Sequence, residues 1–260
     1  KLIKKNNSKF YFVGSGSNLL VNDKKINAYI ITPSKTLKLL DIDNNIITAE
    51  SGVMLGKIVK ESIKNNLTGL EGLVGVPGTL GGALMMNAGA WGAEISNYLL
   101  SVDVILDNGE IKTLYPNDIE FDYRNSSFSS NDFILSAKFK LKKATRVTIN
   151  KRRQIASKGR IRSQPLKFRS AGSVFKNPHK NLAAGLLIDK VGLKGTRYGH
   201  AEISDHHANF FVNHGNAKAS DIAKLIRISR RKVYDRFGIM LELEIKTIGF
   251  SREELLPYAG

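Results

Sequence analysis

Eight of the twenty-four residues from Gly69 to Gly92 are glycine, and they stand among Leu, Val, Ala and Met rather than among polar residues. A flexible linker is more polar and poorer in large apolar side chains, so this stretch is no linker. Bare α-carbons inside an apolar segment bring backbone into close contact with something large and flat. Whatever fold the chain adopts must seat that backbone.

The flanking pattern supplies the frame. Phe10-Tyr11-Phe12-Val13 is a strand-like run, followed at once by Gly14-Ser15-Gly16-Ser17-Asn18 and then Leu19-Leu20-Val21. A turn at Asn22-Asp23 leads to a further strand, Ala28 to Ile31, so the first glycine loop joins strand to strand. Leu55, Ile58, Val59 and Ser62 share one face at helical spacing and predict a helix over Val53 to Asn66. Val102–Leu106 and Ile111–Leu114 form a hairpin around Asn108-Gly109, and Phe133 to Leu141 alternates as a strand. Helices are predicted over Thr148–Arg162, ending before Pro165, over Leu182–Val191 with Gly192 as terminator, and from Ser220 as cap to Gly238. The last helix presents Ile222, Leu225, Ile226, Val233 and Phe237 to a core, and a strand from Met240 to Ile248 closes the chain. The class is α+β, with a boundary near Gln164-Pro165.

Composition narrows the function. The 260 residues contain no cysteine, which excludes disulfides, thiolate metal sites and a flavin attached through cysteine, and fits a reducing cytoplasm. No window approaches 18 consecutive apolar residues, so no membrane insertion is expected. The start, Lys1-Leu2-Ile3-Lys4-Lys5, lacks a signal-peptide pattern and reads as the middle of an element. A formal charge of +17 attracts polyanions. The densest basic run, Lys151-Arg152-Arg153 through Lys158, Arg160 and Arg162, has no aromatics for stacking bases. It reads as a solvated helix face, and nucleic acid is not an expected partner.

The candidate sites are individually open to plain readings. Gly14 to Asn18 can cradle a pyrophosphate on its backbone amides, or can be a tight strand connection; Leu19 stands where a Rossmann fingerprint needs its third glycine. Val76-Pro77-Gly78-Thr79 can open a short helix whose free amides face a second phosphate oxygen, or can pack domains together. Two such turns about 60 residues apart suit a dinucleotide. Arg124, after Tyr123, can hold a carboxylate bidentately or can be a surface residue. Ser173 follows Gly172 without a readable relay, and Glu244 shares a strand face with Glu242. His206-His207 and His214 lack a metal-ligand spacing, so no metal is expected.

The order of these motifs is more specific than any one of them. Gly-Ser-Gly-Ser-Asn-Leu-Leu-Val, Gly-Val-Pro-Gly-Thr-Leu-Gly-Gly-Ala…Asn-Ala-Gly-Ala, Tyr-Arg-Asn-Ser, Gly-Ser-Val-Phe-Lys-Asn-Pro, His-Ala-Asn-Phe-Phe-Val-Asn and Leu-Glu-Leu-Glu-Ile-Lys-Thr-Ile-Gly follow one another from about residue 9 to residue 249. In this the chain resembles the UDP-N-acetylenolpyruvoylglucosamine reductase (UDP-N-acetylmuramate dehydrogenase) family. Ser173 lies only 49 positions beyond Arg124, so the resemblance is to the shorter branch, without the extra tyrosine-bearing loop. On that resemblance, the strand and helix that usually precede the first glycine loop in the family are expected to be missing or truncated in the sequence given.

The resemblance implies a two-lobed FAD-binding domain of the vanillyl-alcohol-oxidase type over residues 1–163. A small α+β substrate-binding domain over 164–238 follows, with a C-terminal strand, 239–260, returning to the active site. It implies non-covalent FAD, NADPH as co-substrate and UDP-N-acetylglucosamine enolpyruvate as substrate, in peptidoglycan biosynthesis; apart from the resemblance, a cytoplasmic monomer is the simplest expectation. Gly14, Ser15, Gly16, Ser17, Asn18, Pro77, Gly78, Thr79, Gly81 and Gly82 match cofactor-binding positions, and Tyr123 and Asn177 match substrate-contacting ones. Arg124, Ser173 and Glu244 match the catalytic positions of fixed cation, proton donor and protonated acid. The rival readings are another FAD-dependent oxidoreductase on the same scaffold, a colourless nucleic-acid-binding protein, and a non-catalytic remnant that has lost flavin.

Overall fold

The computed structural model describes residues 8–258, and the reading of Lys1–Lys5 lies outside them. The chain divides into two compact units, one of residues up to Gly16 with Asn27–Arg160, the other of Ser17–Ile26 with Ile161–Gly260. Strands of three or more residues are β1 (Phe10–Phe12), β2 (Leu19–Val21), β3 (Tyr29–Ile31), β4 (Leu40–Asp43), β5 (Ile46–Glu50), β6 (Leu99–Ile105), β7 (Ile111–Leu114), β8 (Phe133–Lys140) and β9 (Arg169–Ser173). After a two-residue strand β10 (Arg197–Tyr198) come β11 (Ala201–Ile203), β12 (Phe210–Asn213) and β13 (Lys246–Ile248). The α-helices are α1 (Leu55–Lys64), α2 (Leu80–Met85), α3 (Arg146–Ser163), α4 (Ala184–Lys190) and α5 (Ala219–Phe237).

In the first unit β1 and β3 pair in parallel, and a five-stranded antiparallel sheet runs in the order β7-β6-β8-β5-β4. Alternation along β8 buries Ile134, Ala137 and Phe139, and α1 buries Leu55, Ile58, Val59 and Ser62, the face its spacing predicts. These join Ile47, Leu67, Leu73 and Leu80 in one core. Each fully buried side chain of this size contributes roughly 1.5–3 kcal/mol, so truncating Phe139 to Ala would cost about 3–5 kcal/mol. Helix α3 buries only Ile149 and Ala156. Its basic run is therefore largely exposed, the solvated character expected of it.

The second unit holds a four-stranded antiparallel sheet, β9-β12-β11-β10, and α5 packs on it through Ala223, Leu225, Ile226 and Val233. Gly238 ends α5 at φ 67°, the left-handed cap its position predicts. Three local readings need correction. Lys218, not Ser220, is the residue before α5, and the carboxylate of Asp23 accepts from the Ala219 and Ser220 amides at 2.9 and 3.0 Å. A single carboxylate satisfies two orphan helix-start donors, leaving nothing for a serine cap to do. The final strand is shorter than Met240–Ile248: Leu243 makes one isolated bridge to Phe175, and β13 begins only at Lys246, where it pairs in parallel with β2. That pairing, with the Asp23 cap, draws Ser17–Ile26 into the second unit, although the sequence reading ran one domain through residue 163.

Candidate active site

In the first unit, the two glycine-bearing turns meet. Val13 donates to Ile31 at the end of the parallel pair, and Thr32 Oγ1 donates to the Gly14 carbonyl at 3.2 Å. A Cβ on Gly14 would overlap Thr79 Oγ1, so only glycine allows this approach. Gly16 follows at φ 75°. Thr79 sits ahead of α2 in an isolated antiparallel bridge to Met54. The Leu80 and Gly81 amides donate to the Val53 and Ser51 carbonyls. Two of the amides at the start of α2 are thus held by protein carbonyls, which corrects the reading of a fully free N-terminal turn.

The hydroxyls are a different matter. Ser51 Oγ and Thr79 Oγ1 are buried with no protein partner, and both residues are 1 % exposed. Such orphans cost about 1–3 kcal/mol each unless something accepts or donates to them. Gly14, Gly81 and Gly82 leave bare backbone around them: a Cβ at Gly81 would stand 3.1 Å from Ser51 Cβ, and one at Gly82 3.7 Å from Thr79 Oγ1. Unpartnered hydroxyls beside side-chain-free backbone suit a ligand with several oxygen atoms that lies flat along the chain. The cradle fits the diphosphate and ribityl portions of FAD.

Arg124 occupies the second position of a two-residue turn between the short pairs Phe121–Asp122 and Asn125–Ser126, at φ 55°. A non-glycine residue there is strained and persists because its surroundings hold it. Ser126 Oγ donates to the Met85 carbonyl at 2.9 Å, Asn87 Nδ2 donates to the Asp122 carbonyl at 3.2 Å, and Asp122 Oδ1 accepts from the Tyr123 amide at 2.6 Å. The guanidinium lies 5.0 Å from the centre of the Tyr123 ring. Arg124 and Tyr123 line a cleft of about 290 Å³ with Trp91, Glu94 and Asn97. The Trp91 ring lies so close to the α-carbon of Gly159 in α3 that any Cβ there would overlap it.

In the second unit Ser173 ends β9, opposite Phe210, after a register shift that contains Gly172 at φ 81°. The next residue, Val174, accepts from the Glu244 amide at 2.8 Å and from Ile245 at 3.4 Å. Asn18 Nδ2 donates to the Glu244 carbonyl at 3.2 Å, and the Lys246 amide to the Asn18 carbonyl at 2.9 Å. Ser173 and Glu244, 71 positions apart, thus sit on hydrogen-bonded neighbouring segments, both half-buried. Glu242 differs from its neighbour: it is exposed and paired with Lys176 at 2.7 Å. Asn177 is exposed, and its Oδ1 accepts from the Ala184 amide at the start of α4 at 3.1 Å. His207 titrates below the ordinary histidine range, chiefly because it is buried. Its Nδ1 accepts from the Asn209 amide, a structural engagement, and among the described residues no cluster of metal-ligating side chains occurs.

Two residues assigned no role from sequence matter here. Buried Asn209 accepts from the Phe175 amide at 3.0 Å and donates to the Phe175 carbonyl at 2.8 Å, and its own carbonyl accepts from Val174. It sits inside the His-Ala-Asn-Phe-Phe motif, where a buried amide between apolar residues was the available signal. Asp23, in a plain turn, gave none.

Two family models match separate stretches of the chain. A family model described as an FAD binding domain matches residues 1–115, and one described as the UDP-N-acetylenolpyruvoylglucosamine reductase C-terminal domain matches residues 164–248. An FAD-binding unit joined to a distinct α+β unit defines the class: a two-domain flavoprotein oxidoreductase. The chain is 45% identical over 248 residues to the UDP-N-acetylenolpyruvoylglucosamine reductase of Chloroherpeton thalassium, covering 92% of this chain and 79% of that one. The enzyme of the same name from Caldicellulosiruptor bescii is 44% identical over 255 residues, 96% of this chain and 81% of that one. The crystal structure of UDP-N-acetylenolpyruvylglucosamine reductase from Thermus caldophilus superposes with a TM-score of 0.81 at 35% identity, over 95% of this chain and 88% of that one. The chain belongs to the UDP-N-acetylenolpyruvoylglucosamine reductase family.

Proposed function

We propose that this chain reduces UDP-N-acetylglucosamine enolpyruvate to UDP-N-acetylmuramate in peptidoglycan synthesis, and that Arg124, Ser173 and Glu244 carry the chemistry. The family membership supports the activity, with FAD as cofactor and NADPH as co-substrate. Thr79, Ser51 and the glycine-flanked backbone around Gly14 and Gly81 would hold FAD, with Ser15, Gly16, Ser17, Asn18, Pro77, Gly78 and Gly82 as further contacts. Bound FAD supplies the two-electron chemistry between NADPH and the β-carbon of the enolpyruvyl group.

The protein's task is to manage the charge that this reduction creates. Negative charge builds on the α-carbon and spreads into the substrate carboxylate. Arg124 faces it as a fixed cation, and preorganised stabilisation of this kind contributes roughly 3–4 kcal/mol per donor. Ser173 Oγ–H gives the proton to the α-carbon, a transfer typically accounting for about 10²–10⁴-fold in rate. An ionised carboxylate beside a forming dianion would repel it, so Glu244 acts in its protonated form. Tyr123 and Asn177 Nδ2 are the proposed substrate contacts. The enzyme is taken to work as a cytoplasmic monomer; no helix among the described residues is long and apolar enough to cross a membrane.

The observation that supports these roles best is the Glu244–Val174 backbone bond, which fastens the acid beside the serine. Ser173→Ala should accept electrons from NADPH at the normal rate and lose at least about a hundredfold in reduction of the enolpyruvyl substrate. Normal turnover by that variant removes Ser173 as proton donor. Glu244→Gln, which keeps a hydrogen-bond donor, should lose less than Glu244→Ala; equal losses contradict a neutral acid.

A further inference from the structure

Among the described residues of the first unit, three buried side-chain polar atoms lack a partner: Ser51 Oγ, Thr79 Oγ1 and Asn87 Oδ1. The two hydroxyls belong to the cradle, whereas Asn87 has no part in the function so far. It opens the Asn-Ala-Gly-Ala motif just past the end of α2, at φ 40°. The Asn87 amide donates to the Leu84 carbonyl and the Ala88 amide to the Ala83 carbonyl, so the helix closes over a left-handed residue. Glycine is the usual choice at such a position, with asparagine an occasional one. Backbone conformation alone therefore does not call for a side chain here.

The two ends of that side chain have different fates. Nδ2 donates to the Asp122 carbonyl at 3.2 Å, in the turn that carries Arg124. This bond settles which end of the amide is which, because a carbonyl can be met only by the NH2 group. Oδ1 is left as a pure acceptor on a residue only 2 % exposed, a standing cost that a bound donor removes.

The chemistry of that donor follows from the cofactor. A hydroxyl both gives and takes hydrogen bonds, so Ser51 and Thr79 suit phosphate and ribityl oxygens; an amide oxygen only accepts, and a phosphate has nothing to offer it. The oxidised isoalloxazine carries a single ring N–H, at N3, between two carbonyls. Asn87 lies at the opposite end of α2 from Thr79, across six helical residues or about 9 Å. It is also bonded to the turn whose cation faces the group being reduced. The ring, as the reacting part of FAD, belongs at this end of the helix.

We propose that Asn87 is a further cofactor-binding residue, its Oδ1 accepting from N3–H of the isoalloxazine while its Nδ2 holds the Arg124 turn. One carboxamide then ties the flavin and the fixed cation to a common point. This rests on the roles given above to FAD and to Arg124.

The test uses FAD and 3-methyl-FAD, whose N3 hydrogen is replaced by a methyl group, each titrated into flavin-free protein and followed by flavin fluorescence. Asn87→Gly keeps the left-handed close of α2 and removes only the side chain. The parent should bind FAD about five- to a hundredfold more tightly than 3-methyl-FAD. Asn87→Gly should weaken FAD by a similar factor and bind both flavins within about twofold of each other, the signature of two groups that act on one another. A side chain that serves only the helix end and the Arg124 turn would weaken both flavins alike and leave their ratio intact, which overturns the proposal. A parent that does not distinguish the two flavins overturns it as well, and that result needs no variant to fold. A parent that binds neither flavin overturns the FAD reading itself.

Discussion

Asn209 is the point at which the second unit can be tested most sharply. Phe175 and Leu243 form an isolated antiparallel bridge in which the flanking groups do the bonding: the Lys176 amide donates to Glu242, and the Glu244 amide to Val174. The amide and carbonyl of Phe175 itself are turned away from that partner. Both are met by the side chain of Asn209, at 3.0 and 2.8 Å, where Phe175 is 0 % and Asn209 3 % exposed. One carboxamide here replaces a missing strand. Asn209→Leu keeps the volume and strands both backbone groups away from water. At about 1–3 kcal/mol for each unsatisfied group, the loss is at least about 2 kcal/mol, against a total stability of about 5–15 kcal/mol. For a unit near 100 residues that corresponds to a melting temperature lower by about 8 °C or more.

The assay follows from where the reporters lie. The single tryptophan, Trp91, belongs to the first unit, so its fluorescence is blind to this change. Circular dichroism melts, with hydrogen exchange of a peptide spanning Val174–Lys176, report it directly. Asn209→Asp adds a sign. At neutral pH its second oxygen opposes the Phe175 carbonyl, and burial with that repulsion raises the carboxyl pKa in the folded state. An acid whose folded pKa is raised destabilises the protein increasingly as pH rises above the unfolded value near 4, and the penalty lifts on acidification. A melt of Asn209→Leu within about 2 °C of the parent, with exchange at Val174–Lys176 unchanged, would refute the claim that this side chain closes the sheet.

Three further outcomes are expected. The Asp23 carboxyl lies below the ordinary range because the Ala219 amide, then the Ser220 amide, donate to its charged form. Its contribution is therefore complete above about pH 4 and is lost as pH falls through the lowered value. Asp23→Ala should cost about 1 kcal/mol at pH 7 and progressively less as pH falls below about 4; a cost that does not change with pH, in denaturant titrations, excludes the cap. Gly159→Ala should push the Trp91 ring off α3 and change its emission maximum, while Ser157→Ala, two residues away in the same helix, should not; identical spectra would show that the contact is not kept in solution. Between Phe133 and Ile188 the chain carries fifteen Lys and Arg and no Asp or Glu, so the other 204 residues account for only +2 of the +17. Raising ionic strength from about 0.05 to 0.5 M shortens the screening length severalfold, and the KM for NADPH should rise severalfold with kcat nearly constant. A salt-independent KM denies this charge any part in capture.

What could be read in the sequence was whatever a local pattern enforces. The burial stripe of α1, the Asn108-Gly109 hairpin and the left-handed close of α5 at Gly238 each depend on residues within a few positions of one another. The four-stranded sheet of the second unit was not read, because its strands are two to five residues long and Ala201-Glu202-Ile203 is buried throughout, without alternation. The α5 cap was misassigned for the same reason: its carboxylate comes from Asp23, 196 positions before the amide it meets. Ser220 met every local criterion for a cap and lost to a long-range partner. The close approach of the two glycine turns was anticipated only as a suitable spacing, and the orphan hydroxyls of Ser51 and Thr79 that make a cradle of it left no mark in the sequence. For Arg124, Ser173 and Glu244, it was the order of motifs that singled them out, not any property of their immediate neighbours.

That failure of local reading has a physical cause, because each of these residues sits where regular structure is interrupted. Arg124 occupies a left-handed turn position, Ser173 follows a break in the register of β9, and Glu244 lies between an isolated bridge and the start of β13. The loop from Gly14 to Asn18 passes from one unit to the other. A regular ladder spends every backbone group on its neighbours and points side chains at fixed intervals; an interruption frees a residue to point elsewhere, at a cost of about 1–3 kcal/mol that something else must offset. The offsets are visible as polar anchors: Asn87 and Ser126 for the Arg124 turn, Asn209 for the segment after Ser173, Asn18 for the Glu244 carbonyl. Each anchor reaches across tens to hundreds of positions, so no window of sequence contains both the residue and what holds it. Propensity and periodicity are silent at such places by construction, and the residues they leave unexplained are the ones that carry the proposed chemistry.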